Sequence, residues 1–140
     1  MSFIDTNVLV YSTSVRSPFR VQARAALDRV ASAGRVAISR QVLREYLAVT
    51  TRPQALATPL SLAEATADTD AFSRRFAILE DGPLVWDQLL ALSHRFSFGG
   101  RQVHDTNIVA TMLAHGETRL LTFNHADFRR FSSLIEIVTP

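Results

Sequence analysis

Lysine and cysteine are both absent from this chain of 140 residues, and each absence excludes a set of functions. Without cysteine there is no disulfide, no thiolate zinc site and no cysteine nucleophile, which fits a reducing compartment. Without lysine, a P-loop nucleotide site, a Schiff-base enzyme and a receiver domain each lack a residue that they need. No apolar run approaches the roughly eighteen residues of a membrane span, and Asp5 interrupts the first one too early for a signal peptide. We therefore expect a cytoplasmic protein without membrane attachment.

The composition that remains is that of an ordinary globular chain. Apolar residues make up 47% and charged residues 20% of it, which predicts a single domain over residues 1–140. All 15 basic residues are arginine, and the net charge is +2. Guanidinium groups bind phosphate in a bidentate manner and stack on bases, so the arginines permit an RNA or DNA partner. Solvated helix faces are the ordinary alternative for each of them.

Short apolar segments alternate with longer helical patterns along the whole chain. The predicted strands are 2–4, 36–38, 77–79, 120–123 and 135–138. Such alternation favours right-handed crossovers and a parallel sheet that is covered by helices on both faces. The sequence therefore predicts an α/β fold, namely a single three-layer domain, with its ligand site at the carboxyl ends of the strands.

Capping residues predict where the helices begin and end. Ser17 and Pro18 are expected to start a helix that ends at Gly34, and Ser39 to cap one that ends before Pro53. The remaining predicted helices start at the capping box Ser61 to Glu64, at Gly82–Pro83, and after Gly99–Gly100 towards His115. The stretch from Pro53 to Pro59 is interpreted as a surface loop, and Asp5 is expected to lead into a turn.

Three carboxylates stand where the pattern predicts burial. Asp5 follows the first strand, Asp105 falls inside the apolar arc of its helix, and Glu45 lies at the edge of another such arc. Each has an ordinary alternative. Asp5 could cap a nearby amide, Asp105 could satisfy amides of the first helical turn, and Glu45 could pair with a neighbouring arginine, Arg40 or Arg44.

An α/β sheet can bring these three carboxylates over one edge, where they would repel one another. Clustered carboxylates are rarely assembled without a metal, and hard oxygen ligands favour Mg²⁺ or Mn²⁺ over zinc. A cation held in this way commonly recruits phosphates, so the pattern indicates phosphodiester hydrolysis.

Five segments then resemble PIN-domain proteins and, among them, the VapC-type ribonuclease toxins of bacterial toxin–antitoxin pairs. They occur in the order and spacing of the family and span nearly the whole chain: FIDTNVLVYS, AISRQVLREYLAV, HDTNIVATMLAHG, LLTFNHADFRRF and IEIVTP. The resemblance implies a five-stranded parallel sheet, an acidic pocket for Mg²⁺ or Mn²⁺, and cleavage of single-stranded or looped RNA. It further implies a homodimer that is held inactive by a cognate antitoxin.

The resemblance also assigns roles to individual residues. It places the family's three acidic residues on Asp5, Glu45 and Asp105, with Thr6 as a supporting hydroxyl. At the fourth acidic position this chain departs from the family, since Asn124 stands where many relatives have aspartate and Asp127 is the nearest carboxylate. The candidate metal ligands are therefore Asp5, Glu45, Asp105, Asn124 and Asp127.

Arginines near the acidic residues in sequence are candidates for contacts with substrate phosphates. They are Arg40, Arg44 and Arg101.

Two other functions remain open from the sequence. One is a PIN-type nuclease that acts on DNA or in RNA processing outside a toxin pair. The other is a catalytically silent module that binds RNA or a partner protein, which the altered fourth position favours.

The tripeptide Asp-Thr-Asn occurs at 5–7 and again at 105–107. The first copy follows a strand and the second lies in a helical pattern, so they are not one duplicated unit. We expect Asn107 to project away from the apolar arc and to play no part in the site.

Overall fold

The computed structural model describes residues 1–53 and 58–140. Its strands are β1 (Ser2–Ile4), β2 (Val36–Ser39), β3 (Ala77–Leu79), β4 (Arg119–Leu121) and β5 (Glu136–Val138). Its α-helices are α1 (Thr6–Thr13), α2 (Arg20–Ala33), α3 (Arg40–Thr51), α4 (Leu62–Arg75), α5 (Pro83–Ser93), α6 (Gln102–Ala114) and α7 (His125–Phe128). A 3₁₀ turn at Arg129–Phe131 follows α7.

The five strands form one parallel sheet in the order β3-β2-β1-β4-β5. From β1 the chain moves outwards to β2 and β3, and it then returns to place β4 on the other side of β1. The strand order therefore reverses between β1 and β4, which are paired through Ile4 and Leu121. Ligands bind at the carboxyl ends of the strands next to such a reversal, and Asp5 and Thr122 are the residues that follow β1 and β4 there.

Right-handed crossovers require helices on both faces of this sheet. The first four helices pack among themselves, α1 on α2 and α3 and α3 on α4, whereas α5 packs on α6 and α6 on α7. The predicted three-layer α/β/α architecture with a five-stranded parallel sheet is confirmed.

The capping predictions for two helices are confirmed in detail. The Ser39 hydroxyl accepts a hydrogen bond from the Val42 amide at the start of α3. Ser61 and Glu64 form the complete capping box, each side chain accepting from the other residue's backbone amide at 3.1 Å. These caps satisfy backbone amides that would otherwise be free at the starts of α3 and α4.

Two predictions about helix starts are wrong. The residues after Asp5 form helix α1 instead of a turn, because the Asp5 side chain accepts from the Thr6 amide and caps the helix. Helix α2 begins at Arg20 with no side-chain cap, and Ser17 instead accepts a hydrogen bond from the Phe19 amide just before it. The loop predicted from Pro53 to Pro59 falls mostly outside the described residues.

Tyr46 is the largest fully buried side chain in the described part of the chain. Its hydroxyl donates to Asp68 Oδ2 at 2.6 Å and lies 2.9 Å from the Thr13 hydroxyl, and its ring meets Phe72 edge-on. These contacts join α3 to α1 and α4.

No helix in the two described ranges is long and apolar enough to cross a membrane.

Candidate active site

Asp5 is 5% exposed, and its hydrogen-bond partners follow the carboxyl ends of β1 and β4. Its Oδ1 accepts from the Thr6 amide at 2.8 Å, and its Oδ2 accepts from the Thr122 hydroxyl at 2.7 Å and from Asn7 Nδ2 at 2.9 Å. The residue is therefore a helix cap and also a buried carboxylate at the β1/β4 reversal. Both interpretations of Asp5 from the sequence, as a capping residue and as a buried carboxylate, are therefore correct.

Glu45 lies beside it on α3, half-buried. The Thr6 hydroxyl donates to Glu45 Oε2 at 2.7 Å, and Gln41 Nε2 donates to Glu45 Oε1 at 2.8 Å. The alternative in which Glu45 pairs with Arg40 or Arg44 is not what the structure shows. Thr6 thus lies between the two carboxylates, since its amide binds Asp5 and its hydroxyl binds Glu45.

Asp105 stands in the first turn of α6 and is half-buried. Its carboxylate receives no hydrogen bond from any residue in the ranges 1–53 and 58–140. The alternative in which Asp105 satisfies amides of the first helical turn is therefore not realised either. A half-buried carboxylate without a partner is costly, and a bound cation would offset that cost.

Burial and neighbouring carboxylates raise the pKa of both Asp5 and Asp105. Burial, and to a smaller extent the charges of Glu45 and Asp105, raise the pKa of Asp5 to about 6, although hydrogen bonds from Thr122 and Thr6 oppose the shift. Burial and the charges of Asp127 and Glu45 raise the pKa of Asp105 to about 6 as well. The pKa of Asp5 thus responds to the charges of Glu45 and Asp105, and the pKa of Asp105 to that of Glu45, as expected for neighbouring carboxylates.

This acidic cluster of Asp5, Glu45 and Asp105 fits a hard divalent cation by its chemistry. The described residues form four salt bridges, and none of them involves a member of the cluster. Across the same part of the chain, no three histidine, aspartate or glutamate side chains are already gathered closely enough to hold one ion. Carboxylate oxygens that form no salt bridge suit Mg²⁺ or Mn²⁺, and the side chains would have to move closer together to bind the ion.

The two candidates for the fourth acidic position differ in their relation to Asp105. Asp127 lies on α7, and its charge is the largest carboxylate contribution to the raised pKa of Asp105. Asn124 precedes α7, and its backbone amide donates to the Thr122 hydroxyl at 2.9 Å. Both side chains are exposed at the rim of the site.

The predicted substrate-binding arginines occupy different settings. Arg40 forms a bidentate pair with Glu80, whereas Arg44 is exposed on α3. Arg101 lies close enough to lower the pKa of Asp105, and so does Arg130, which the sequence did not single out. Arg130 donates to the Ser97 carbonyl and lies over the Phe131 ring, while its buried Nε has no hydrogen-bond partner.

Four polar residues of the site were missed by sequence reasoning: Asn7, Gln41, Asn107 and Thr122. Asn7 and Thr122 bind Asp5 directly, and Gln41 binds Glu45. The expectation that Asn107 plays no part is wrong, because its Nδ2 donates to Gln41 Oε1 at 2.8 Å. The repeated Asp-Thr-Asn tripeptide places each asparagine two residues after an acidic residue, but it does not indicate the hydrogen-bond partners of either one.

Thr122→Val is expected to lower the free energy of unfolding by about 1–3 kcal/mol, because it removes a fully buried hydroxyl with three hydrogen bonds. Urea unfolding measures the change. Thr118→Val, at an exposed position two residues before Leu120, is the matched control and should leave the free energy unchanged. Equal stability of the two variants would contradict the role of Thr122.

The protein is an α/β domain with a parallel sheet and with carboxylates where the strand order reverses. Comparison with known families identifies which kind of α/β domain it is. The PIN domain family model matches residues 2–134. The chain belongs to the PIN-domain family, and the predicted resemblance is confirmed.

Curated relatives carry the same resemblance over nearly full length. Ribonuclease VapC24 of Mycobacterium tuberculosis is 30% identical over 133 residues, which cover 94% of this chain and 91% of that protein. Ribonuclease VapC48 of the same organism is 29% identical over 133 residues, covering 93% and 91%.

Solved structures share the fold at lower identity. A toxin–antitoxin complex from Klebsiella pneumoniae aligns with a TM-score of 0.70 at 22% identity, over 100% of this chain and 98% of that one. Mycobacterium tuberculosis VapC20, described as a toxin that cleaves the sarcin–ricin loop, aligns with a TM-score of 0.69 at 15% identity, covering 93% and 95%.

Proposed function

We propose that residues 1–140 form a single PIN domain that acts as a Mg²⁺- or Mn²⁺-dependent endoribonuclease, the toxin of a toxin–antitoxin pair. The observation that carries the proposal is the acidic cluster at the strand reversal, which is buried or half-buried and forms no salt bridge among the described residues. The names of the relatives VapC24 and VapC48 support RNA as the substrate.

In this proposal Asp5, Glu45 and Asp105 hold the cation. When bound, the ion would supply positive charge at the scissile phosphate and lower the pKa of water. Thr6 keeps Asp5 and Glu45 adjacent through its amide and hydroxyl. Asp127 is the better candidate for the fourth acidic residue, because its charge already acts on Asp105, and Asn124 would complete the rim through its carbonyl oxygen.

Arg101 and Arg130 are the best candidates for contacts with RNA phosphates. Both act electrostatically on Asp105, and guanidinium groups bind phosphate oxygens with directed hydrogen bonds. Arg44 is exposed on the same helix as Glu45 and would extend this contact. Arg40 must first leave Glu80 before it can bind substrate, so we assign it a lesser part.

The proposed partners are a cognate antitoxin and a second copy of the chain, in the cytoplasm. Similar structures include VapBC and other toxin–antitoxin complexes, from Rickettsia felis and Klebsiella pneumoniae among others. Large apolar side chains lie exposed on α5, where a protein partner would cover them: Leu84, Trp86 and Leu90.

Two assays test the function and separate it from the other candidates. The purified protein should cleave RNA with millimolar Mg²⁺ or Mn²⁺ and lose the activity when EDTA is added. Its expression should arrest growth, and the product of a small adjacent gene should relieve the arrest. Cleavage without growth arrest would favour an RNA-processing or DNA nuclease. Absence of both cleavage and calorimetric Mn²⁺ binding would favour a silent binding module.

A further inference from the structure

Gln41 is a nearly buried amide at the point where α3 and α6 meet over the sheet edge. Its Nε2 donates to two acceptors, Glu45 Oε1 and the His104 carbonyl, each at 2.8 Å. Gln41 and Glu45 are four residues apart on α3 and so lie on the same helix face. The His104 carbonyl belongs to the residue just before Asp105. One amide group therefore binds both helices that carry the acidic residues.

The orientation of the Gln41 amide follows from its neighbours. Glu45 Oε1 and the His104 carbonyl can only accept hydrogen bonds, so the amide nitrogen must face them. Asn107 Nδ2 donates to the other end, Gln41 Oε1, at 2.8 Å. A reversed Gln41 amide would place its oxygen against a carboxylate and a carbonyl and its nitrogen against a donor.

The Asn107 amide is oriented in the same way. Its Nδ2 faces two acceptors, Gln41 Oε1 and Asp81 Oδ2, the latter at 3.3 Å just before α5. The chain of donors thus runs from Asn107 to Gln41 to Glu45 in a single direction. Asn107 and Asp105 both lie on α6, so this chain of hydrogen bonds joins the helix of Glu45 to the helix of Asp105.

We propose that Gln41 and Asn107 form a positioning relay that holds the Glu45 carboxylate in place relative to Asp105. Both residues act through Glu45 and are therefore positioning residues. The Thr6 hydroxyl holds Glu45 Oε2 from the opposite side, so the carboxylate is fixed at both oxygens. Groups that orient a metal-binding side chain commonly change metal affinity or activity by about 10–100-fold when they are replaced. The metal-related part of this inference rests on the proposed function.

Gln41→Glu and Gln41→Met test the relay. The first variant keeps the shape but replaces the donating amide by a carboxylate that repels Glu45, and the second removes both polar atoms. We expect each to raise the calorimetric Kd for Mn²⁺ and the Mn²⁺ concentration for half-maximal cleavage by about 10–100-fold. At saturating Mn²⁺ the cleavage rate should recover and the KM for RNA should stay within about threefold. Asn107→Ala should give a smaller shift in the same direction.

Gln22→Met is the matched control, because Gln22 lies on α2 and donates to the Pro140 carbonyl, outside the relay. It should bind Mn²⁺ as the wild type does. If wild type binds Mn²⁺ and both Gln41 variants bind it within threefold of wild type, the relay is overturned while the nuclease function stands. A loss of activity that saturating Mn²⁺ does not restore would indicate a structural role and would also overturn it.

If wild type neither binds Mn²⁺ nor cleaves RNA, the proposed function is contradicted. Crystal structures of the metal-free proteins still test the relay in that case. In Gln41→Met the Glu45 carboxylate should move by about 1 Å or more, a displacement large enough to disturb a catalytic geometry. A Glu45 carboxylate that stays in its wild-type position in this variant would overturn the relay.

Discussion

Asp105→Asn is expected to lower the rate of Mn²⁺-dependent RNA cleavage by about 10³-fold or more while the protein remains folded. The Asp105 carboxylate receives no hydrogen bond within the described ranges, so the amide removes a negative charge without removing a structural contact. That charge is one of the three that would hold the cation. Cleavage of a labelled RNA at saturating Mn²⁺ measures the loss, and circular dichroism checks the fold.

Asp70→Asn is the matched control for this substitution. Asp70 is exposed on α4 and pairs with Arg74, and exposed pairs of this kind contribute little to stability. Its cleavage rate should equal that of wild type. Asp105→Asn protein that retains activity within tenfold of wild type, in a preparation free of other ribonucleases, would contradict the assignment of Asp105 to the metal site.

The free energy of unfolding is expected to depend on pH and on divalent metal through Asp5. Because the pKa of folded Asp5 is raised to about 6, above its ordinary value of 3.8, protonation favours the folded state. This contribution is complete below about pH 4 and is lost as the pH rises through 6. Relative to Asp5→Asn, the metal-free wild type should therefore lose about 2 kcal/mol of unfolding free energy between pH 4.5 and pH 7.5.

Divalent metal should reverse this loss. At pH 7.5 and a free Mn²⁺ concentration about 100 times the Kd, wild type gains about 2.7 kcal/mol, whereas Asp5→Asn gains little because a ligand is missing. Urea unfolding of both proteins, with Mn²⁺ and with EDTA, gives the four values needed. The same pH dependence in both proteins would show that Asp5 is not the group responsible, and equal Mn²⁺ stabilisation would place the ion elsewhere.

The burial of the three carboxylates could be predicted because its signal is local. Asp5 ends an apolar strand, and helical periodicity places Asp105 and Glu45 at buried or bordering positions. The parallel sheet followed in the same way from alternating short strands and longer helices. Helix α1 was missed because it follows the three-residue β1 directly, and only the Asp5 cap distinguishes it from a turn.

Apart from Thr6, which the family resemblance supplied, the supporting amides and hydroxyls could not be predicted, since their signal is not local. Gln41 and Asn107 are 66 residues apart, and Asp5 and Thr122 are 117 apart. Only the folded sheet brings such pairs within hydrogen-bonding distance. A polar residue on a helix is predicted to face solvent unless its partner on another element is known. For the same reason Arg130 was not predicted, although its charge lowers the pKa of Asp105.

A crystal of the wild-type protein soaked in Mn²⁺ shows whether the three carboxylates bind a metal ion. We expect anomalous difference density for at least one ion at the carboxyl ends of β1 and β4, in contact with oxygens of Asp5, Glu45 and Asp105. Fully occupied Mn²⁺ density elsewhere on the surface, with these three side chains unmoved and free of metal, would contradict this expectation.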